Sequence, residues 1–515
     1  MSASTEKKQR QAAREAGTDK KILAEKEAAE KRSRSRRRTG LAAAVVAVLV
    51  VLAILFSTGF FYTQTTAVRA GARRYSPAAL NYHYVSSYQN WMSTYGNLAA
   101  IAGMDTEAGP FGLKDQPCPM MEEGHTWRDF FIDSACAGIA QMSGLLDYAG
   151  ENGITLSEEQ LAAIDAQISQ IELMAKVYGY SSADHYLEAN FGDGVTARSL
   201  RGILRDISLS DAARTQYTES LQYSDEELEA AYAAFEGSQD FFDYAYYYVQ
   251  AEAMLADGGE VAEPNEMTLL EARMTAEAIR TSYQDDRDTE DPTERLNAAI
   301  EAEDDVAEAT VRTHVSAGSL GDLAEWMTAA RKVGDIEVIE DSASKGYYVV
   351  VFLGRDDNHY NTVSVRHILI EIESNEDGTW TPEADAAARE EAERILAEWK
   401  AGEATEESFA ALAEQYSTDT GSNTVGGLYE DVYHGQMVPD FDAFCFGGHQ
   451  HGDTTVIFGT NGAYAGYHVI YFVGEGEPYS NILARDELRE QAVSAWLETI
   501  TPEYRLGAFA WLAGK

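Results

Sequence analysis

Cysteine is nearly absent from the 515 residues: Cys118, Cys136 and Cys445 are odd in number and far apart, which excludes a disulfide framework. They read as small buried apolar residues. Basic residues are also scarce, 40 Lys+Arg against 85 Asp+Glu, for a net charge of −45. A surface of that sign is repelled by nucleic acid and by anionic lipid, so neither is expected as a partner. What basic charge there is gathers at one end. Residues 1–40 hold 13 Lys+Arg and 6 Asp+Glu, a balance of +7, which leaves −52 on the other 475 residues.

Charge of either sign is missing between Thr39 and Val68. The apolar part of this stretch, 41–62, has 22 residues, about 33 Å as a helix at ~1.5 Å per residue, enough to cross a hydrocarbon core. KRSRSRRR stands just before it, and excess Lys/Arg marks the cytoplasmic flank. The expectation is a basic cytoplasmic segment (1–40), a single transmembrane helix (41–62) and an acidic extracytoplasmic remainder attached to the cell membrane. A cleaved signal peptide is the competing reading, with Ala-Val-Arg-Ala (67–70) as a poor cleavage site. No Cys follows the run before Cys118, which argues against a lipid anchor.

From 69 to 240 the pattern is helical, with Tyr82, Trp91 and Tyr95 at helical spacing and a capping box at Ser157 and Gln160. A helical domain of this kind serves as scaffold or holds unfolded chains. A second capping box, Ser224 with Glu227, leads into the Tyr/Val-rich strand DYAYYYV. Two strands then read alike, GYYVVVFLG from Gly346 and GYHVIYFVG from Gly466. Tyr348 and His468 lie 120 positions apart, and Tyr246 and His367, in the first strand of each block, lie 121 apart. A spacing shared over a hundred residues marks a duplication, 241–356 and 363–475. The amphipathic segment 478–515 is expected to pack on the helical domain, making it discontinuous.

Only the second copy carries histidines at the two matched positions. Imidazole shares protons in ways a tyrosine hydroxyl does not, so His367 and His468, with Asp419 in YSTDTGS, are the candidate chemistry. A metal pair at His449 and His451 lacks a third ligand. DDRDTEDPTE lacks the central Gly of a calcium loop and reads as a solvated turn.

Residues 363–475 resemble a parvulin-type peptidyl-prolyl isomerase through RHILI (366–370), SFAALAEQYSTDTGS (408–422), GGL (426–428), GQMVPDF (435–441) and GYHVI (466–470). The whole arrangement resembles the membrane-attached extracytoplasmic foldases of Gram-positive bacteria. The resemblance implies an α+β protein with a helical chaperone-like domain, one active parvulin domain and one degenerate copy, acting without cofactor or metal on unfolded exported polypeptides with X-Pro bonds. It implies His367, Asp419 and His468 as catalytic residues and Leu428, Met437 and Phe441 as the proline pocket. One extra residue before Met437 leaves Tyr429 as the alternative to Leu428, and Phe458 is a further wall only if a longer hairpin permits. A chaperone that holds unfolded chains without catalysis is the rival reading.

Overall fold

Where the sequence led us to expect one 22-residue helix, the apolar run is helical over 43–56, turns at Thr58–Gly59 and restarts as the short helix Phe60–Gln64. Gly59 takes the left-handed conformation, φ +68°, and a right-handed helix cannot continue through it. Phe61 then stacks on Phe509, ring centroids 6.0 Å apart. Among the described residues no helix is long and apolar enough to cross a membrane. The structure is a computed structural model that describes residues 3–17, 24, 31, 41, 43–56, 58–252, 264–303, 307–375, 378–462 and 464–515. Most of the basic segment, and residues 42 and 57 of the expected span, lie outside the described residues.

Two compact units form, 1–221 with 492–515, and 222–491. The first holds helices α1 (Pro77–Tyr95), α2 (Trp127–Glu151), α3 (Glu158–Val177), α4 (Ala183–Phe191) and α5 (Ala197–Ser220). Their starts are written in the sequence: Ser76 caps α1 ahead of Pro77, and reciprocal capping boxes open α2 at Thr126, α3 at Ser157 and α5 at Thr196. Aromatic burial builds the core, with Tyr84, Trp127 and Phe131 fully enclosed and Tyr82 and Trp91 packed against them; Tyr95 is instead exposed. Strand β1 (Val68–Ala70) pairs with β2 (Arg73–Tyr75) and, on its other edge, with the terminal strand Tyr504–Leu506.

The second unit begins with helix α6 (Asp225–Ala233), opened by the Ser224–Glu227 capping box. The sequence placed this helix with the helical domain. It belongs to the second unit instead, because its apolar stripe, Leu228 and Tyr232, packs on Ala484. Strand β3 (Phe241–Gln250), helices α7 (Glu266–Asp285) and α8 (Pro292–Glu301), and strands β4 (Thr310–Ser316), β5 (Ile336–Asp341) and β6 (Gly346–Asp356) follow. The acidic turn before α8 is a capping device: Asp286 accepts from the amides of Asp288 and Thr289, and Asp291 caps α8. Next come β7 (Asn361–Glu371), α9 (Pro382–Ala401), α10 (Glu406–Tyr416), β8 (Leu428–Val432), α11 (Pro439–Cys445), β9 (Thr454–Thr460), β10 (Ala465–Pro478) and α12 (Tyr479–Ile500). Helix α12 passes from the second unit into the first, which claims it from Ala492 on.

Two antiparallel sheets result, ordered β4-β3-β6-β5 and β8-β7-β10-β9. Their registers coincide. Tyr246 faces Val350 as His367 faces Ile470, and Tyr248 faces Tyr348 as Leu369 faces His468. Both central pairs slip at the same place, between Phe352 and Gly354 and between Phe472 and Gly474. Each sheet is covered on both faces, so its central strands read as nearly continuous apolar runs. In the second sheet Ile368, Val469 and Tyr471 pack under α9 and α10, while Val365, Ile470 and Phe472 pack under α11.

Candidate active site

His367 and His468 stand on neighbouring antiparallel strands at diagonal positions, so both imidazoles leave the sheet on the α11 face. Each is nearly enclosed, 5% and 3% exposed. Their Nδ1 atoms are 3.2 Å apart and the rings lie almost parallel, 16° between planes. Asp419 arrives from the loop after α10, which is stitched to β7: the Thr418 amide and hydroxyl donate to the Leu369 carbonyl, and the Leu369 amide donates to Ser417 Oγ. The loop closes with Gly427, whose carbonyl accepts the His367 amide at 2.8 Å. Gly427 has φ +70°, and a Cβ there would come within 2.1 Å of the His367 carbonyl oxygen, so only glycine lets the loop approach the strand.

Three donors converge on one oxygen of Asp419. His367 Nε2 lies 2.8 Å from Oδ2, Tyr429 OH donates at 3.0 Å, and Ser422 Oγ donates as well; the Gly421 amide donates to Oδ1 at 3.0 Å. These bonds, the one from His367 foremost, hold the Asp419 carboxyl well below the usual carboxylate range against the opposing effect of burial. Burial first, and the neighbouring His367 second, pull His468 down to about 3, so it is neutral at physiological pH.

Those two states constrain the proton at the Asp419 end. An ionised Asp419 only accepts, so His367 Nε2 donates to it, and the two facing Nδ1 atoms share one further proton across their 3.2 Å contact. Tyr464 OH lies 3.1 Å from His468 Nε2 and closes the far end of the network. The result is a continuous hydrogen-bonded chain that links Tyr464, His468, His367 and Asp419. Burial first, and Asp419 second, push the hydroxyls of Tyr429 and Tyr464 above their ordinary range, which keeps both as donors.

Above this chain sits an apolar shelf. Phe441 of α11, 1% exposed, sets its ring edge-on to both imidazoles, 5.6 Å from His367 and 5.3 Å from His468. Met437, Val438, Tyr429 and Ile457 pack in the same cluster. Gly459 closes the floor, where a Cβ would lie 2.7 Å from Val438 Cγ2 and 2.9 Å from His468 Nε2.

Of the residues singled out in the sequence, His367, His468, Asp419, Met437 and Phe441 converge here. Leu428 does not: it pairs with Arg366 at the start of β8, and strand alternation turns it away from the face that Tyr429 occupies. Phe458 likewise packs on the opposite face, near Trp380 and Tyr467, and its neighbour Ile457 takes the site side. Tyr464 and Ser422 were missed. Ser422 ends the segment SFAALAEQYSTDTGS, while Tyr464 lies in a hairpin whose reach depends on geometry alone. His449 and His451 are engaged elsewhere, His449 stacked on Phe444 and His451 bonded to the Val473 carbonyl and Tyr471. Among the described residues no group of three His, Cys, Asp or Glu is placed to hold a metal. Cys118, Cys136 and Cys445 are buried free thiols.

In the face of the first sheet that matches this site, Tyr246 and Tyr348 replace the histidines, with ring centroids 5.5 Å apart. They pack with Phe242, Leu320 and Met327.

Residues 367–474 match the rotamase family, described as PPIC-type PPIASE domain. The chain is 28% identical over 298 residues to Chaperone SurA of Chromohalobacter salexigens, an alignment covering 53% of this chain and 60% of that protein. The chain thus spans less than two thirds of the curated relative it matches. Similar solved structures include peptidylprolyl isomerase PrsA from Bacillus anthracis (22% identity, 28% of this chain and 58% of that one, TM-score 0.18). Foldase protein PrsA from Streptococcus pneumoniae gives 13% identity over 76% of this chain and 88% of that one, with a TM-score of 0.21.

Proposed function

We propose that this chain, whose residues 367–474 form a parvulin-type peptidyl-prolyl isomerase domain, catalyses cis-trans isomerisation of X-Pro bonds in exported proteins as they fold. The observation that carries the reading is the hydrogen-bonded chain from Tyr464 to Asp419 lying directly beneath the Phe441–Met437 shelf.

Rotation about an X-Pro bond makes and breaks no covalent bond; it must only surmount a barrier of roughly 18–20 kcal/mol set by amide resonance. The catalyst therefore needs to favour the twisted amide over either planar one. The shelf of Phe441, Met437 and Tyr429 takes the proline ring and removes the peptide from water. In the planar amide, resonance places negative charge on the carbonyl oxygen, and twisting withdraws it. The Asp419 carboxylate beside that oxygen disfavours the planar form more than the twisted one, and its own field is held fixed by His367, Ser422 and Tyr429. His367, Asp419 and His468 thus act by field and orientation, none as a nucleophile.

We read the first sheet domain, 241–356, as a parvulin copy that has lost its chemistry, and residues 69–221 with 492–515 as a helical chaperone-like region. We also place the protein at the outer face of the cell membrane, held by the uncharged run near 41–62 behind its basic flank; this is supported by composition and tested by whether the protein stays with membranes after a high-salt wash. Exchange NMR on an X-Pro peptide tests catalysis: exchange accelerated by the folded full chain is expected, and none at all would refute the enzyme. A second reading, a holdase without catalysis, is favoured by exposed apolar side chains on the first unit, Ile101, Met120, Leu173 and Val177. Suppression of client aggregation that is unchanged in an Asp419→Asn variant with lowered isomerase activity would separate the two.

A further inference from the structure

The loop that carries the pocket residue Met437 and leads into α11, which carries Phe441, begins at Tyr433, and a residue of the first sheet domain lies against it. A Cβ on Gly435 would come within 2.3 Å of His314 Cδ2 and 2.6 Å of its Nε2, so the imidazole lies directly on the glycine backbone. Gly435 also has φ +79°, which makes it doubly unable to carry a side chain.

His314 is aimed there by its own sheet. Strand β4 slips register opposite Asp243, and His314 occupies the slip with φ +51°. Its amide donates to Asp243 Oδ1 at 2.7 Å, and its ring stacks flat on Phe241, centroids 4.0 Å apart and 5° between planes. The matching left-handed position in the second sheet is Asp431, which takes a bond from Thr362 within its own domain. The bulge therefore belongs to the fold, and what is particular to the first copy is a flat ring on it that reaches the neighbouring domain.

On its other side the loop is tied to the second domain. Asp442 Oδ1 accepts the Gly435 amide at 2.8 Å, His434 Nδ1 lies 3.3 Å from Asp442 Oδ2, and the His434 amide donates to Tyr360 OH. Gly435 is thus held from one face by Asp442 and from the other by His314, two residues before Met437.

We infer that His314 is a positioning residue for the isomerase pocket: the sheet domain that lost its own histidine pair holds, through this ring on Gly435, the loop that sets Met437 and Phe441. The inference rests on the proposed activity for its kinetic consequence, though not for the contact itself.

The test uses the full chain with His314→Ala, His314→Phe and Gly435→Ala, reading kcat and KM for an X-Pro peptide together with the Met437 methyl resonance. Removing the ring loosens the pocket, so His314→Ala is expected to raise KM roughly fivefold with kcat little changed and to move the Met437 methyl signal. His314→Phe, flat enough to stack on Phe241, restores both, and Gly435→Ala reproduces the defect. Unchanged KM and an unmoved methyl signal would overturn the inference. So would a loss in kcat alone that tracks a lower unfolding temperature, the mark of simple destabilisation. If the wild-type chain proves inactive, the proposed function falls, and the methyl signal alone decides the brace: a shift in His314→Ala reversed in His314→Phe supports it, and none refutes it.

Discussion

Replacing Asp419 by Asn keeps the shape of the side chain and removes its charge. Three donors meet at Oδ2 and one at Oδ1, so the amide oxygen is forced into the Oδ2 place and the amide nitrogen faces the Gly421 amide, where it cannot accept. The bond from His367 Nε2 survives, while the field at the substrate carbonyl does not. Two unit charges 4 Å apart interact by about 4 kcal/mol at an effective dielectric of 20. If twisting the amide withdraws roughly a fifth of a charge from the carbonyl oxygen, the carboxylate favours the twisted form by about 0.8 kcal/mol, near fourfold in rate. We expect Asp419→Asn to lower kcat by about fourfold to tenfold in peptide exchange NMR, with ¹⁵N shifts showing His367 still protonated at Nε2. Tyr348→Phe, inside the first sheet domain, should change nothing. A wild-type kcat in the Asn variant would refute the electrostatic role and leave Asp419 as an anchor for a loop.

Gly459→Ala drives a methyl against Val438 and His468; catalysis should fall at least tenfold while the circular dichroism spectrum is kept, and full activity would show that the floor yields. His468, held down to about 3 by burial and by His367, should show no titration of its ring proton between pH 5 and 8, and a midpoint near 6.5 would contradict the buried chain. The same depression predicts a stability trend. An unfolded histidine protonates near 6.5, so between pH 6.5 and 3 the unfolded state binds the extra proton and stability drops as pH falls, by up to ~1.4 kcal/mol per pH unit; Asp419, depressed as well, extends the loss below the ordinary carboxylate range. Arg355→Ala should destabilise the second unit by about 3 kcal/mol in thermal unfolding, because it leaves the buried Asp240 carboxylate without its cation, and a loss under 1 kcal/mol would mean that the Tyr232 hydroxyl, which donates to Asp240 Oδ1 at 3.1 Å, suffices.

The duplicated strands carried much of this in plain sight. The nearly continuous apolar runs of the central strands are what sheets covered on both faces require, and the two histidines interrupt them. Capping boxes at Ser157 and Ser224 named helix starts because they are local chemistry. Tyr464 escaped notice because its bond to His468 is set by the path of a hairpin, and His314 because a register slip leaves no trace in hydropathy. Leu428 was preferred to Tyr429 by counting along a motif, whereas strand alternation decides which of two neighbours faces the histidines. The run at 41–62 was read from composition, which records how apolar a segment is but not whether a glycine interrupts its helix.

The pairing of Val68 with Leu506 joins positions 438 residues apart, and the whole second unit lies between them. Closing so long a loop from an unfolded chain is entropically costly and slow. If residues 222–491 fold first, they collapse the intervening chain into a body of fixed size, and the two edges then have only a short distance to search. A chain halted before Tyr504 would therefore leave β1 with one partner strand instead of two. In that order of events maturation runs from the inserted unit outward, and the helical unit is sealed last.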